Sequence, residues 1–145
     1  MPANHIHMIA ACLALVLLAL AVAIALLFTR VGEMRRKQIP PQAMADSSTR
    51  AARLENVQVA DNFRNLFEVP VLFFALAAIA LATGYVPPWL VVCSWLFVAL
   101  RVLHSVVHCT YNTVYHRMLL FAAGFLLLVV MWIAFFVAVA SKAPM

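Results

Sequence analysis

Two stretches of this chain, residues 8–28 and 118–140, contain no charged side chain over 21 and 23 residues. About 20 apolar residues in a helix span the hydrocarbon core of a bilayer. Two further apolar stretches, 66–85 and 88–111, have a similar length and carry few ionisable residues. Backbone groups in lipid must satisfy one another, so each stretch is predicted to be an α-helix. The sequence therefore predicts an all-α integral membrane protein, a four-helix bundle with these four spans.

The composition argues against a soluble protein. Hydrophobic residues make up 67% of the 145 residues and charged residues only 10%, whereas about a quarter of a soluble domain is charged. The length allows a single membrane domain. The net charge of +5 comes from basic residues beside the apolar spans, which favours membrane topology over nucleic-acid binding. The three cysteines lie in or beside apolar segments and are interpreted as fillers, not as a disulfide framework.

The charges that flank the spans predict the orientation. Seven of the ten Lys and Arg residues lie between Arg30 and Arg64, and Arg101 and Arg117 lie near the connection between the third and fourth spans, on the same side. Because cytoplasmic loops are enriched in basic residues, loop 30–61 and the third loop are predicted to be cytoplasmic, with both termini outside. Residues 1–7 contain no Lys or Arg, so the first span is predicted to be a retained helix, not a signal peptide.

The first loop, residues 30–61, is the one hydrophilic region of the sequence. Four of the five acidic residues lie in it, and solvation explains them. Ser47, Ser48 or Thr49 is a suitable N-cap for a short amphipathic segment through Gln58.

The start of the second span carries a charged motif. Arg64, Asn65 and Glu68 are spaced so that all three can share one helical face. They are interpreted either as an interfacial ion pair between Arg64 and Glu68 or as part of a polar site. Pro70 would bend a continuous helix, but it suits the first turn of a helix that starts near Val69.

The third span carries a polar stripe. Arg101, His104, His108, Tyr111 and Tyr115 follow one another at steps of 3, 4, 3 and 4, which places them along one side of a helix. Ionisable residues inside a membrane usually face protein or a water-filled cavity. The stripe is therefore either an interhelical packing seam or a polar binding cleft near the cytoplasmic face.

Arg117 opens the fourth span and either reaches the lipid headgroups or belongs to the same cleft. His104 and His108 have the spacing of two metal ligands on one helical turn. No other span offers a His or carboxylate at a matching depth except Glu68. No metal site is therefore predicted.

Taken together, these features resemble the MAPEG family, the membrane-associated proteins of eicosanoid and glutathione metabolism. The resemblance rests on Arg64-Asn65-x-x-Glu68 at the start of the second helix, followed by a proline, and on Arg101-x-x-His104 with Arg117 thirteen residues after His104. The four spans, the charged first loop and the orientation agree with it. The segment Asn-Leu-Phe-Glu-Val-Pro-Val-Leu-Phe at 65–73 is similar to the bacterial branch, which implies the bacterial inner membrane.

The resemblance implies a homotrimer in which glutathione, as co-substrate, binds in clefts between neighbouring subunits. Arg35, Arg64, Asn65, Glu68 and His104 match the family's glutathione contacts, Arg35 by looser alignment, and Arg117 matches the arginine beside the glutathione sulfur. Arg101 and His108, from the polar stripe, complete the candidate substrate-binding residues. A cation near the sulfur favours the nucleophilic thiolate. A lipophilic co-substrate would enter from the membrane lipid.

Some positions differ from the family pattern. His108 and Met118 stand where eicosanoid-processing members have tyrosine and serine, and Gln58 and Asp61 stand where arginines often occur. The cleft is consequently less basic, and eicosanoid synthesis is disfavoured. The leading hypothesis is a glutathione-dependent transferase or peroxidase that acts on lipophilic electrophiles. The alternative is a non-catalytic member that binds lipid or a partner. A small multidrug transporter is disfavoured because the first span has no carboxylate.

Overall fold

The computed structural model describes residues 1–45, 54, 55 and 57–141. The helices are α1 (Ala3–Arg36), α2 (Gln58–Asn65), α3 (Val69–Ala82), α4 (Pro88–Cys109) and α5 (Val114–Ala140), with one 3₁₀ turn at Pro41–Met44. In these ranges there is no β-strand, and four helical segments are long and apolar enough to cross a membrane, the second made of α2 and α3 together. The predicted all-α membrane protein with four spans is confirmed. The predicted N-cap at 47–49 lies outside the described residues.

The bundle has two chemically different ends. Asn4 Nδ2 donates to the carbonyl oxygen of Val86 at 2.9 Å, and the ring centroids of Tyr85 and Phe135 lie 6.1 Å apart. The start of α1, the turn between α3 and α4, and the last turns of α5 therefore meet at one end. We call the opposite end of the bundle the polar end. It contains the last turns of α1, the whole of α2, the last turns of α4 and the start of α5.

Apolar side chains of α1, α3, α4 and α5 form the core between the two ends. The rings of Phe73 and Phe97 stack with centroids 5.0 Å apart, and both side chains are fully buried. The outward faces are apolar as well, since Leu126, Ile133 and Phe136 of α5 are largely exposed. A helix that is apolar on all sides belongs in a membrane or a large core, so these outer faces contact lipid.

The second span is interrupted. α2 ends at Asn65, the backbone turns through Leu66–Glu68, and α3 begins at Val69 with Pro70 in its first turn. Proline is well tolerated there because the first N–H groups of a helix have no intrahelical partner. This confirms the interpretation in which a helix starts near Val69. It also corrects the predicted start of the span at residue 66, because helical structure already begins at Gln58.

The third span ends earlier than the sequence suggests. α4 stops at Cys109, and Asn112 takes a left-handed conformation with φ 48° in the turn that leads to α5. Arg101, His104 and His108 are buried, whereas Tyr111 and Tyr115 are 59% and 62% exposed. The predicted stripe is therefore right for its first three members. It is wrong for the two tyrosines, because the chain reverses direction before it reaches them.

Glu33 corrects another expectation. It is not a solvated loop residue, because α1 continues to Arg36 and its side chain is only 5% exposed. Glu33 Oε1 accepts hydrogen bonds from the backbone N–H of Glu55 at 2.8 Å and from Lys37 Nζ at 2.9 Å. Lys37 Nζ also contacts Glu55 Oε1 at 2.9 Å. The pKa of Lys37 is raised, first by its hydrogen bond to Glu33 and then by that to Glu55.

We expect Glu33→Gln to lower the thermal midpoint in detergent at pH 8 by about 2–4 °C, the shift typical of one lost interaction in a chain of this size. The pKa of Lys37 is raised above 10.5 in the folded protein. The stability that its contact with Glu33 contributes is therefore complete below pH 10.5 and is lost as the pH rises through the pKa of Lys37 in the folded protein. The difference between variant and wild type should therefore shrink in strongly alkaline buffer. Circular dichroism melts of both proteins at pH 8 and in strongly alkaline buffer would measure this difference in thermal midpoint.

Asp61→Asn is the matched control for the Glu33 substitution. Asp61 Oδ1 lies 3.9 Å from Arg64 Nη1, and both side chains are largely exposed. Exposed ion pairs contribute little to stability, so this variant should melt close to wild type. Equal melting of Glu33→Gln and Asp61→Asn would contradict a special role for the buried carboxylate.

Candidate functional site

Three helices bring buried and half-buried polar side chains together at the polar end. Arg101, His104 and His108 lie on the inner side of α4 and are at most 5% exposed. The end of α2 supplies Asn65, and the first turn of α5 supplies Arg117. The rings of His104 and His108 meet edge to face, with centroids 5.4 Å apart. The three-step and four-step spacing on α4 explains why these side chains converge.

Arg101 supports the interruption between α2 and α3. Its Nη2 donates to the backbone oxygen of Asn65 at 3.3 Å and also to the side-chain oxygen Oδ1 of Asn65. Asn65 O lies at the end of α2, where its other hydrogen bond among the described residues is a 3.4 Å bond from the N–H of Glu68. The guanidinium carbon of Arg101 lies 5.9 Å from the ring centroid of Phe121. Among the described residues, Nε and Nη1 of Arg101 have no hydrogen-bond partner.

Arg117 is held through both its backbone and its side chain. Its carbonyl oxygen lies 3.2 Å from His104 Nδ1, which must therefore carry the proton that it donates. Its Nη1 donates to His108 Nε2 at 3.1 Å and to Asn112 Oδ1 at 3.0 Å. An imidazole nitrogen that accepts a hydrogen bond is unprotonated, so this arrangement requires neutral His108.

A cavity of about 340 Å³ opens beside these groups. Its lining is polar toward α2 and α4, and α5 contributes Arg117 together with three apolar side chains. The lining residues are Asn65, His104, His108, Val114, Arg117, Met118 and Phe121. Val114 and Met118 are more than half exposed on the outer surface of the bundle. The cavity can therefore receive a ligand that has an anionic or polar part and an apolar part.

The other candidate residues are not part of the cavity lining. Glu68 is exposed, and its Oε2 accepts a 3.4 Å hydrogen bond from Asn65 Nδ2. Arg64 is 77% exposed in its side chain, and its carboxylate neighbour is Asp61 at 3.9 Å, not Glu68 as one sequence interpretation had it. Arg101 lies behind Asn65 and is not a lining residue. Within one chain, Arg35 is not brought to the cluster. It lines a separate cavity at the end of α1.

The sequence interpretation missed Asn62, Ser105 and Asn112 in this region. Asn62 is fully buried, donates to Cys109 Sγ at 3.2 Å and accepts from Ser105 Oγ at 3.3 Å. Asn112 supplies an acceptor for Arg117. Asn62 stands three residues before Asn65, so helical spacing could have indicated it. Nothing in the sequence alone marks Asn112, because its contact depends on a left-handed turn.

The polar groups of this region are hydrogen-bond donors and acceptors from arginine, asparagine and histidine side chains. Within the described ranges, no group of three or more His, Cys, Asp and Glu residues is close enough to hold a metal ion. The cavity instead presents a guanidinium, an amide and two imidazoles. Arginine binds carboxylates and other anions through its planar set of donors.

The fold and this cleft define a multi-pass membrane protein whose ionisable residues gather at one end of its helices. The MAPEG family model matches residues 8–137, which is most of the chain. The chain belongs to the MAPEG family. No curated protein and no solved structure matches it.

Proposed function

We propose that this protein is a glutathione-dependent transferase or peroxidase that acts on lipophilic electrophiles. The observation that carries the proposal is the position of Arg117. Its guanidinium lines a cavity whose remaining walls are polar on α2 and α4 and apolar on α5. A hydrophilic thiol and an apolar electrophile can therefore occupy neighbouring parts of one space.

The charges around the cavity suit glutathione, which carries two carboxylates and one amine. Arg64 and Arg35 supply cations for the carboxylates, and Glu68 supplies a carboxylate for the amine. Asn65 and His104 line the same cavity as Arg117. Because Arg35 lies apart from the cluster within one chain, the proposal includes a homotrimer in which a neighbouring copy supplies Arg35. Arg101 does not line the cavity, and its proposed role is to hold Asn65 in place through hydrogen bonds.

Arg117 would favour the reactive form of the thiol. A thiol with a pKa near 8.5 is only about 3% thiolate at pH 7, and a nearby cation raises that fraction. The sulfur then forms a bond to the electrophilic carbon while the leaving group departs with its electron pair. The thiol proton goes to solvent. In the peroxidase reaction, two glutathione molecules are oxidised to the disulfide while a hydroperoxide is reduced to an alcohol and water.

The proposed orientation follows the positive-inside rule. Loop 30–61 and the third loop are cytoplasmic, both termini are outside, and the membrane is the bacterial inner membrane. The polar end then faces the cytoplasm, which supplies glutathione, and the apolar wall faces the bilayer, which supplies the electrophile.

A second candidate is a non-catalytic member that binds lipid or a protein partner. Two observations favour it. Arg64 lies beside Asp61, which weakens its attraction for a carboxylate. Met118 occupies the cavity wall next to Arg117 without a polar atom that could bond the sulfur.

Thiolate formation separates these candidates. Glutathione is added to the detergent-purified protein at pH 7, and ultraviolet absorbance is followed as the concentration rises. The proposed enzyme should give saturable thiolate absorbance and should conjugate chlorodinitrobenzene with release of chloride. A folded protein that forms no thiolate and gives no turnover would support the non-catalytic candidate.

A further inference from the structure

One terminal nitrogen of the Arg117 guanidinium is fully engaged by the protein. Nη1 bonds Asn112 Oδ1 at 3.0 Å and His108 Nε2 at 3.1 Å. A terminal guanidinium nitrogen carries two N–H groups, so these two acceptors use both of them. Nε and Nη2 have no hydrogen-bond partner in the part of the chain that the structure describes. Three of the five donors of this side chain thus remain for a ligand.

We propose that Asn112 and His108 are positioning residues that anchor Nη1 of Arg117 and leave its Nε–Nη2 edge to bind the anionic sulfur of the thiol. The guanidinium is planar and rigid, so two bonds at one nitrogen restrict the rotation of the whole group. The ligand identity rests on the proposed function, whereas the anchoring rests on the two distances alone. His104 contributes differently, because it binds the backbone oxygen of Arg117 and not the guanidinium.

The turn between α4 and α5 explains how Asn112 reaches Arg117. Asn112 has φ 48°, a left-handed conformation that asparagine and glycine adopt more readily than other residues. Asn112→Gly should therefore keep the turn while it removes the acceptor. Asn112→Asp keeps both the backbone preference and an oxygen at the same position. These two substitutions separate the hydrogen bond from the conformation of the turn.

The first measurement needs no glutathione. Full-length protein labelled with ¹⁵N-arginine is studied in detergent by NMR, and the Arg117 guanidinium signals are assigned by their loss in Arg117→Lys. We expect separate Nη1 and Nη2 signals in the wild type, since rotation is restricted. Asn112→Gly should average them, and Asn112→Asp should restore their separation. Averaged signals in the wild type, or signals that Asn112→Gly leaves unchanged, would overturn the anchoring.

The second measurement is the thiolate absorbance of bound glutathione at pH 7. We expect Asn112→Gly to lower the thiolate fraction about fivefold, the factor that one net hydrogen bond of ordinary strength corresponds to. The half-saturating glutathione concentration should change less, because the peptide contacts remain. Thr83→Gly is the control, since it also removes a polar side chain from a turn between helices, here at the end of the bundle opposite Arg117. It should match the wild type in both measurements.

The two readouts distinguish two kinds of failure. If the wild type forms no thiolate, the proposed function fails, and the NMR signals still decide whether Asn112 anchors Arg117. If the wild type forms thiolate and Asn112→Gly forms it equally well, the positioning role fails and the proposed function stands.

Discussion

Arg117→Ala should lower kcat/KM for glutathione conjugation about 10²–10³-fold, the loss typical when one preorganised group that stabilises developing negative charge is removed. We expect this loss because Arg117 supplies the positive charge among the residues that line the cavity. The effect should fall mainly on kcat and on the thiolate absorbance. The glutathione concentration for half-saturation should change less, since the proposed carboxylate contacts remain. Steady-state turnover of chlorodinitrobenzene and thiolate titration would measure both quantities.

Arg36→Ala is the matched control for this loss of positive charge. Arg36 is exposed, and its Nη2 lies 3.9 Å from Glu55 Oε2 at the same end of the bundle. If the general field of basic residues produced the thiolate, both substitutions would lower it to a similar extent. We expect Arg36→Ala to retain wild-type turnover. Full thiolate formation in Arg117→Ala would remove the role assigned to Arg117.

The spans could be predicted from the sequence because lipid imposes a strong and simple constraint. A run such as 118–140 without a charge has few other stable environments. The exact ends could not be predicted in the same way. α1 continues past its apolar run to Arg36, because Glu33 finds Lys37 and the backbone of Glu55 as partners. Those partners become adjacent only after the chain folds.

The candidate site shows the same division between local pattern and tertiary contact. Helical spacing alone indicated that Arg101, His104 and His108 share one side of α4, and their burial agrees with it. The same spacing failed at Tyr111, because the helix ends at Cys109. The sequence could not show that Arg101 contacts Asn65, or that Arg117 contacts Asn112, since both contacts depend on how separate elements meet.

Arg101→Ala is expected to lower the free energy of unfolding by about 3–5 kcal/mol, the upper part of the range for large-to-small substitutions in a core. Arg101 is fully buried, and its side chain fills space between α4, Phe121 and Gly124. The substitution also leaves both oxygens of Asn65 without their guanidinium donor. Equilibrium unfolding of the detergent-purified variant with increasing dodecyl sulfate would measure the loss.

Arg101→Met separates the volume of this side chain from its hydrogen bonds. Methionine refills most of the space and removes a buried charge whose Nε and Nη1 have no partner among the residues described. Replacing a buried charge by an apolar side chain of similar volume is often neutral or stabilising, so most of the stability lost in Arg101→Ala should return.

Asn65 would still lack its donor in Arg101→Met, and the cavity wall that Asn65 forms would no longer be held in place. We therefore expect Arg101→Met to be stable but to bind glutathione more weakly than the wild type. Wild-type glutathione binding in a stable Arg101→Met protein would show that Arg101 acts by filling space alone.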